Sequence, residues 1–230
     1  MYDSIYYVIQ NQLDLESFLR AFYFYPVTRD SETQYDEEAL DYAGKRTLEI
    51  LNNTPYNEII DVLEKFQNEI AEVETWNIPM FSRLKEADHV PQIVLSNPGC
   101  DYTMIGYFFE KDRNRTAQFK YGETHYKAAM LLGLVYRDYP YQVTYLGKAY
   151  MKLSKENCDL IRPKLCIRVP LIQKYLVAVK KGPISGMAPL RSILSEKTAI
   201  RRRSCTKQML NAIFNQMDNG IEYRNRIDWK

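Results

Sequence analysis

Histidine, glycine and long apolar runs are all scarce in this 230-residue chain, and each scarcity excludes a class of chemistry. The two histidines, His89 and His125, stand in no H-x-x-x-H or similar setting, which leaves metal-histidine chemistry little to build on. With nine glycines there is no G-x-x-x-x-G-K-S/T loop, no G-x-G-x-x-G and no nucleophile elbow. Four cysteines (Cys100, Cys158, Cys166 and Cys205) are scattered without a C-x-x-C pair, so reduced thiols are expected rather than a zinc ribbon or redox site. No stretch reaches the uncharged apolar length of a membrane span, and the opening MYDSIYYVIQ lacks the basic start of a signal peptide. A cytoplasmic protein without membrane contact or cofactor is the expectation.

What is present is a marked separation of charge. The net charge is +2, yet Met1 to Val90 holds 7 Lys+Arg against 18 Asp+Glu, a net of −11, and the remainder holds 24 against 11, a net of +13. Such asymmetry suggests two jobs, with the basic part suited to a polyanion and the acidic part to assembly, as a homodimer or with a protein partner.

The acidic region 1–90 reads as helical. An aromatic-rich opening (Tyr2, Tyr6, Tyr7, Phe18, Phe22, Tyr23, Phe24, Tyr25) runs to Pro26. A helix is then predicted over Asp36–Leu51 with Leu40, Ala43, Thr47, Leu48 and Leu51 inward, and another over Asn57–Glu74 with Ile59, Ile60, Leu63, Phe66, Ile70 and Val73 on one stripe. Proline-punctuated residues Thr75–Pro98 carry no sustained period and read as a boundary.

The basic half carries the functional signal. Asp101–Glu110 offers an N-cap and an apolar set of Met104, Ile105, Tyr107 and Phe108, and Lys111–Asn114 is polar enough for a turn. Arg115–Leu132 reads as a long helix with Ala117, Tyr121, Ala128, Leu131 and Leu132 inward, ending at Gly133. Leu134–Arg137 and Tyr141–Thr144 form two short β-favouring runs around Asp138-Tyr139-Pro140. Short helix, turn, long helix and hairpin is the order of a winged helix-turn-helix, whose long helix enters the major groove. Arg113, Arg115, Gln118, Lys120, Glu123, Thr124 and Lys127 would then face outward, with Arg137 on the wing, as residue types that contact phosphates and base edges.

The run Lys120–Leu153 resembles the winged-helix modules appended to some type II restriction enzymes and AAA-associated proteins, in its Lys120, Glu123, Ala129, Leu132-Gly133-Leu134-Val135 and Thr144-Tyr145-Leu146-Gly147-Lys148. It departs from them at Thr124-His125, where two tyrosines usually stand. The resemblance implies duplex DNA recognition in a restriction or anti-phage system, with cutting done by a separate domain. Leu194–Thr206 is similar to a second helix-turn-helix of such families: Ser195 as N-cap, a helix burying Ala199, Thr206, Leu210, Ile213 and Met217, and Lys197, Arg201, Arg203 and Lys207 available to phosphates. At least one of Arg201, Arg202 and Arg203 is expected to pair internally, because three consecutive residues cannot share one helix side.

The expected architecture is therefore mostly α with small β wings (α+β). An acidic helical region (1–90) precedes tandem winged helix-turn-helix modules, the first with its following helix (91–180) and the second over 181–230, with Gly182–Gly186 as a flexible link. A dimeric transcriptional regulator is the alternative. A magnesium-dependent type II restriction endonuclease whose catalytic site the sequence does not reveal is a further one; Asp101 followed by Gln118-Phe119-Lys120 satisfies the acidic-then-Q-x-K pattern, but it is not that site, because the triplet lies inside the long helix.

Overall fold

The computed structural model describes residues 4–27 and 35–230, so Tyr2 of the aromatic opening lies outside it. The chain is mostly α. Helices α1 (Ser4–Gln10) and α2 (Leu15–Phe24) come first, α2 capped by the Asp14 carboxylate, which accepts from Ser17 N at 2.8 Å. Helix α3 (Glu37–Asn53) starts at Asp36, whose side chain accepts from Ala39 N, and buries Leu40, Ala43, Thr47, Leu48 and Leu51 as their spacing predicts.

Helix α4 (Tyr56–Lys65) is shorter than its apolar stripe. The stripe predicts helix to Glu74, but a 3₁₀ turn forms at Gln67–Glu69. Arg20 is the physical reason: it donates to both Glu69 carboxylate oxygens at 2.9 and 2.7 Å and lies over the Phe66 ring at 4.7 Å, pulling this segment against α2. Ile59, Ile60 and Leu63 are fully buried within the chain.

Residues Thr75–Pro98, expected as a boundary, are packed. Ile78, Phe81, Leu84, Ala87 and Val90 are buried, and the 3₁₀ stretch Leu84–His89 continues into α5 (Val90–Ser96). Pro91 sits in the first turn of α5, where a missing N–H costs nothing.

Helices α6 (Tyr102–Phe109) and α7 (Arg115–Leu131) follow, then α8 (Tyr145–Tyr150), α9 (Lys155–Cys166), α10 (Pro170–Lys181), a short α11 (Ala188–Arg191), α12 (Glu196–Phe214) and α13 (Gly220–Asn225). Strands β1 (Ile184–Ser185) and β2 (Ile227–Asp228) pair in parallel, Ile184 with Ile227 and Ser185 with Asp228. The Gly182–Gly186 link is thus pinned, with Ile184 N donating to Arg226 O at 2.8 Å. Among the described residues the one antiparallel bridge outside this pair is Val135 with Val143, so the only hairpin resembling a wing follows α7.

The buried side chains form one cluster from Ile5 to Ile227, on both sides of residue 90 and of the Gly182–Gly186 link. Opposite charges hold the two halves together. Lys152 pairs with Asp41, Lys180 with Asp61 and Glu64 (2.5 and 2.7 Å), and Arg162 with Asp88. Lys164, 6% exposed, donates to the carbonyls of Leu51, Asn52 and Thr54 and so closes the C-terminus of α3. Gly44 lets α3 touch α8, since a Cβ there would lie 2.8 Å from Tyr145 O. All four cysteines are free thiols. No helix among the described residues is long and apolar enough to cross a membrane.

Candidate nucleic-acid interface

Helices α6 and α7 are joined by the turn Glu110–Asn114, and both have side-chain caps: Asp101 accepts from Met104 N at 2.8 Å, Asn114 from Ala117 N at 2.9 Å. Two glycines set their crossing. A Cβ on Gly106 would lie 1.8 Å from Gln118 O, and one on Gly122 1.9 Å from Tyr102 O, so the backbones approach as only glycine permits. This contact selects which face of α6 is inside. Of the apolar set on this helix Ile105 is fully buried, whereas Met104, Tyr107 and Phe108 are 44 to 47% exposed.

The chain after α7 turns at Gly133 (φ 80°) and forms a minimal hairpin. Tyr136 N donates to Gln142 O at 2.9 Å and Thr144 N to Leu134 O at 3.1 Å. Leu134, Val135 and Tyr136 are buried, and the Tyr126 hydroxyl donates to Tyr136 O, so the base of the hairpin belongs to the core while its tip, from Arg137 to Pro140, is exposed. Thr144 caps α8 through Gly147 N and donates its hydroxyl to Gly133 O, fastening both ends of the hairpin.

The inner side of α7 is fixed to the 3₁₀ stretch Leu84–His89. Fully buried His125 places Nε2 2.8 Å from a Glu86 carboxylate oxygen, and the Tyr121 hydroxyl donates to the same oxygen at 2.8 Å. Phe81 connects this segment to α12 in turn, because its backbone N and O meet Cys205 Sγ at 3.4 and 3.1 Å. The two helices read as DNA-contacting therefore share one intervening support.

Of the residues expected to face DNA, Arg115 and Lys120 are exposed on the first half of α7 and enter no ion pair among the described residues. Arg113 is exposed beside Glu110 (3.3 Å), and half-buried Lys127 pairs with Glu123 (2.7 Å). Half-buried Thr124 donates back to Tyr121 O. Gln118 corrects the sequence reading: it faces inward, 8% exposed, its amide donating to the carbonyls of Glu110 and Lys111 at 3.2 Å. The turn's carbonyls need a donor, and the close helix crossing places Gln118 beside them. Arg137 lies over the Trp76 ring at 4.3 Å on the exposed hairpin.

On α12, Ala199, Thr206, Leu210 and Ile213 are buried as spacing predicts, with Met217 partly so. Ser195 occupies the N-cap position, with its hydroxyl on Thr198 Oγ1 rather than on the backbone. Lys197 and Arg201 are exposed and unpaired among the described residues. Arg203 donates to Trp229 O at 3.2 Å and Lys207 stands 5.2 Å from the Trp229 ring, so this pair faces the C-terminal strand. Burial lowers the Arg202 guanidinium from its ordinary value, and its Nη1 has no hydrogen-bond partner.

Sequence reasoning missed Phe119. It is 43% exposed beside Arg115 and Lys120, its ring edge-on to Tyr102 at 5.5 Å, while Tyr102 stacks on Tyr141 at 4.9 Å. Asp101 and Gln118, the members of the nuclease pattern, serve as a helix cap and a turn brace. Among the described residues no three His, Cys, Asp or Glu side chains are grouped to hold a metal ion.

No protein-family model matches the sequence, and no curated protein or solved structure shows significant similarity to it.

Proposed function

We propose that this chain binds duplex DNA, with the first half of α7 in the major groove and α12 on the flanking phosphates, as the recognition part of a restriction or anti-phage system. The observation that carries the proposal is the division of the cations. Lys152, Arg162, Lys164 and Lys180 hold the acidic half, whereas Arg115, Lys120, Lys197 and Arg201 are exposed without acidic partners among the described residues. Unpaired cations on a long, side-chain-capped helix that follows a tight turn and precedes a hairpin are what phosphate contact requires. The module built from α6, α7 and the hairpin after them is the winged one on this reading; α12 acts as a second helix without a wing.

Fluorescence anisotropy with labelled random duplex DNA across a salt series tests this. The expected result is salt-sensitive binding, with the slope of log K against log salt reduced by about one for each phosphate contact removed by Arg115→Ala, Lys120→Ala or Arg201→Ala. Salt-independent behaviour, or variants that all retain the parental slope, would overturn the assignment. Incubating the chain with plasmid DNA and magnesium asks separately whether it cuts.

A further inference from the structure

Resting on the duplex-binding reading above, we infer that Phe119 is a specificity-determining residue that reads the C5-methyl group of a pyrimidine, in the first instance thymine, in the major groove. The inward turn of Gln118 removes the amide from the exposed face of α7. The neighbouring position presents a phenyl ring instead, 43% exposed and flanked by Arg115 one turn before it and Lys120 directly after it. Helical periodicity puts Thr116, Phe119, Lys120 and Glu123 on one outward surface.

An exposed phenylalanine between two cations has no core to fill. The ring is nevertheless held in place. Its edge contact with Tyr102 (5.5 Å, 75°) is backed by the Tyr102–Tyr141 stack (4.9 Å, 20°) and by the Tyr126–Tyr141 contact at 4.2 Å, which ties the row to fully buried Tyr126. A buttressed ring suffers little loss of freedom on binding, which favours an apolar contact made at the interface. In the major groove the apolar feature is the pyrimidine C5-methyl, and phenylalanine is among the side chains that meet it. The cations on either side would hold the flanking phosphates and fix the ring's depth in the groove. A second copy of the chain is a poorer occupant of this surface, because it would bring Arg115 and Lys120 against their own equivalents.

The test compares one selected duplex in two forms, with all thymines and with all thymines replaced by deoxyuridine, which differs only by the methyl. The parental chain should bind the uracil duplex about four-fold more weakly, the effect of one buried methyl. Phe119→Ala should bind both forms equally, at the weaker level, and Phe119→Leu should retain part of the preference. Replacing cytosines by 5-methylcytosine in a third duplex distinguishes the source of the methyl: a gain there that Phe119→Ala abolishes assigns the contact to methylated cytosine. Salt-sensitive binding in which Phe119→Ala changes affinity equally on every duplex overturns the role of Phe119 alone. Absence of salt-sensitive binding overturns the interface, and the methyl contact with it.

Discussion

A single missing side-chain carbon decides where α7 stands. At Gly106 and Gly122 a Cβ would fall 1.8 and 1.9 Å from backbone oxygens of the opposing helix, atoms that cannot rotate away. Gly106→Ala or Gly122→Ala is expected to destabilise the fold by about 3 kcal/mol or more through forced separation of α6 and α7, read as a fall in the denaturant midpoint. A midpoint unchanged in both variants would contradict the close crossing. Lys164→Met leaves the carbonyls of Leu51, Asn52 and Thr54 without their shared donor and is expected to cost about 3 kcal/mol. Most inward positions of α3 and α12 were legible from three- and four-residue spacing. Gln118 and Phe119 were not, because their exchange of roles depends on the carbonyls of Glu110 and Lys111, which no local pattern reveals.

Elements here are positioned by what crosses between them. The length of α4 was misread because Arg20 and Glu69, 49 residues apart, decide where it stops. The pairing of β1 with β2 was invisible for the same reason: two-residue strands separated by three helices carry no periodic signal. The order helix, turn, helix, hairpin was legible, since each cap and turn is local and chemically marked. At this scale the joint of α9 with the 3₁₀ stretch before α5 is the most exposed to mutation. Arg162, 6% exposed at its side chain, donates to both Asp88 oxygens and to Asp159, and the Tyr150 hydroxyl donates to Asp88 at 3.0 Å. Asp88→Asn leaves a buried guanidinium with Asp159 as its one carboxylate and is expected to cost about 3 kcal/mol, whereas the double change with Arg162→Met should recover much of that loss. A double-mutant cycle showing no coupling would refute a buried pair.

For the whole molecule, one cluster of buried side chains and ion pairs between the halves predict a single cooperative unfolding transition in calorimetry; two separated transitions would mark independent domains. Burial holds the thiols of Cys100, Cys158, Cys166 and Cys205, and the phenols of Tyr23, Tyr56, Tyr150 and Tyr175, above their ordinary values. The unfolded chain releases these protons from about pH 8.5 for thiols and about pH 10 for phenols, while the folded chain keeps them, so stability present below about pH 8.5 is lost as pH rises. Lys164 works against this trend: burial lowers it to about 8, and up to about pH 10.4 the unfolded chain is the one holding the extra proton. Four thiols outweigh one lysine from about pH 8.5, and the four phenols add to them from about pH 10, so the denaturant midpoint should fall above pH 8.5, less steeply in Cys166→Ala; a rise above pH 8.5 would contradict the burial. The charge separation was legible in composition, but its partner within the same chain was not. Lys152, Arg162 and Lys180 are already neutralised by carboxylates of the acidic half, so they have no mobile counterions to give up. To an approaching polyanion the basic half presents fewer than its formal excess of positive charges, and any grip it takes will report in its salt dependence only the cations that its own chain has left unclaimed.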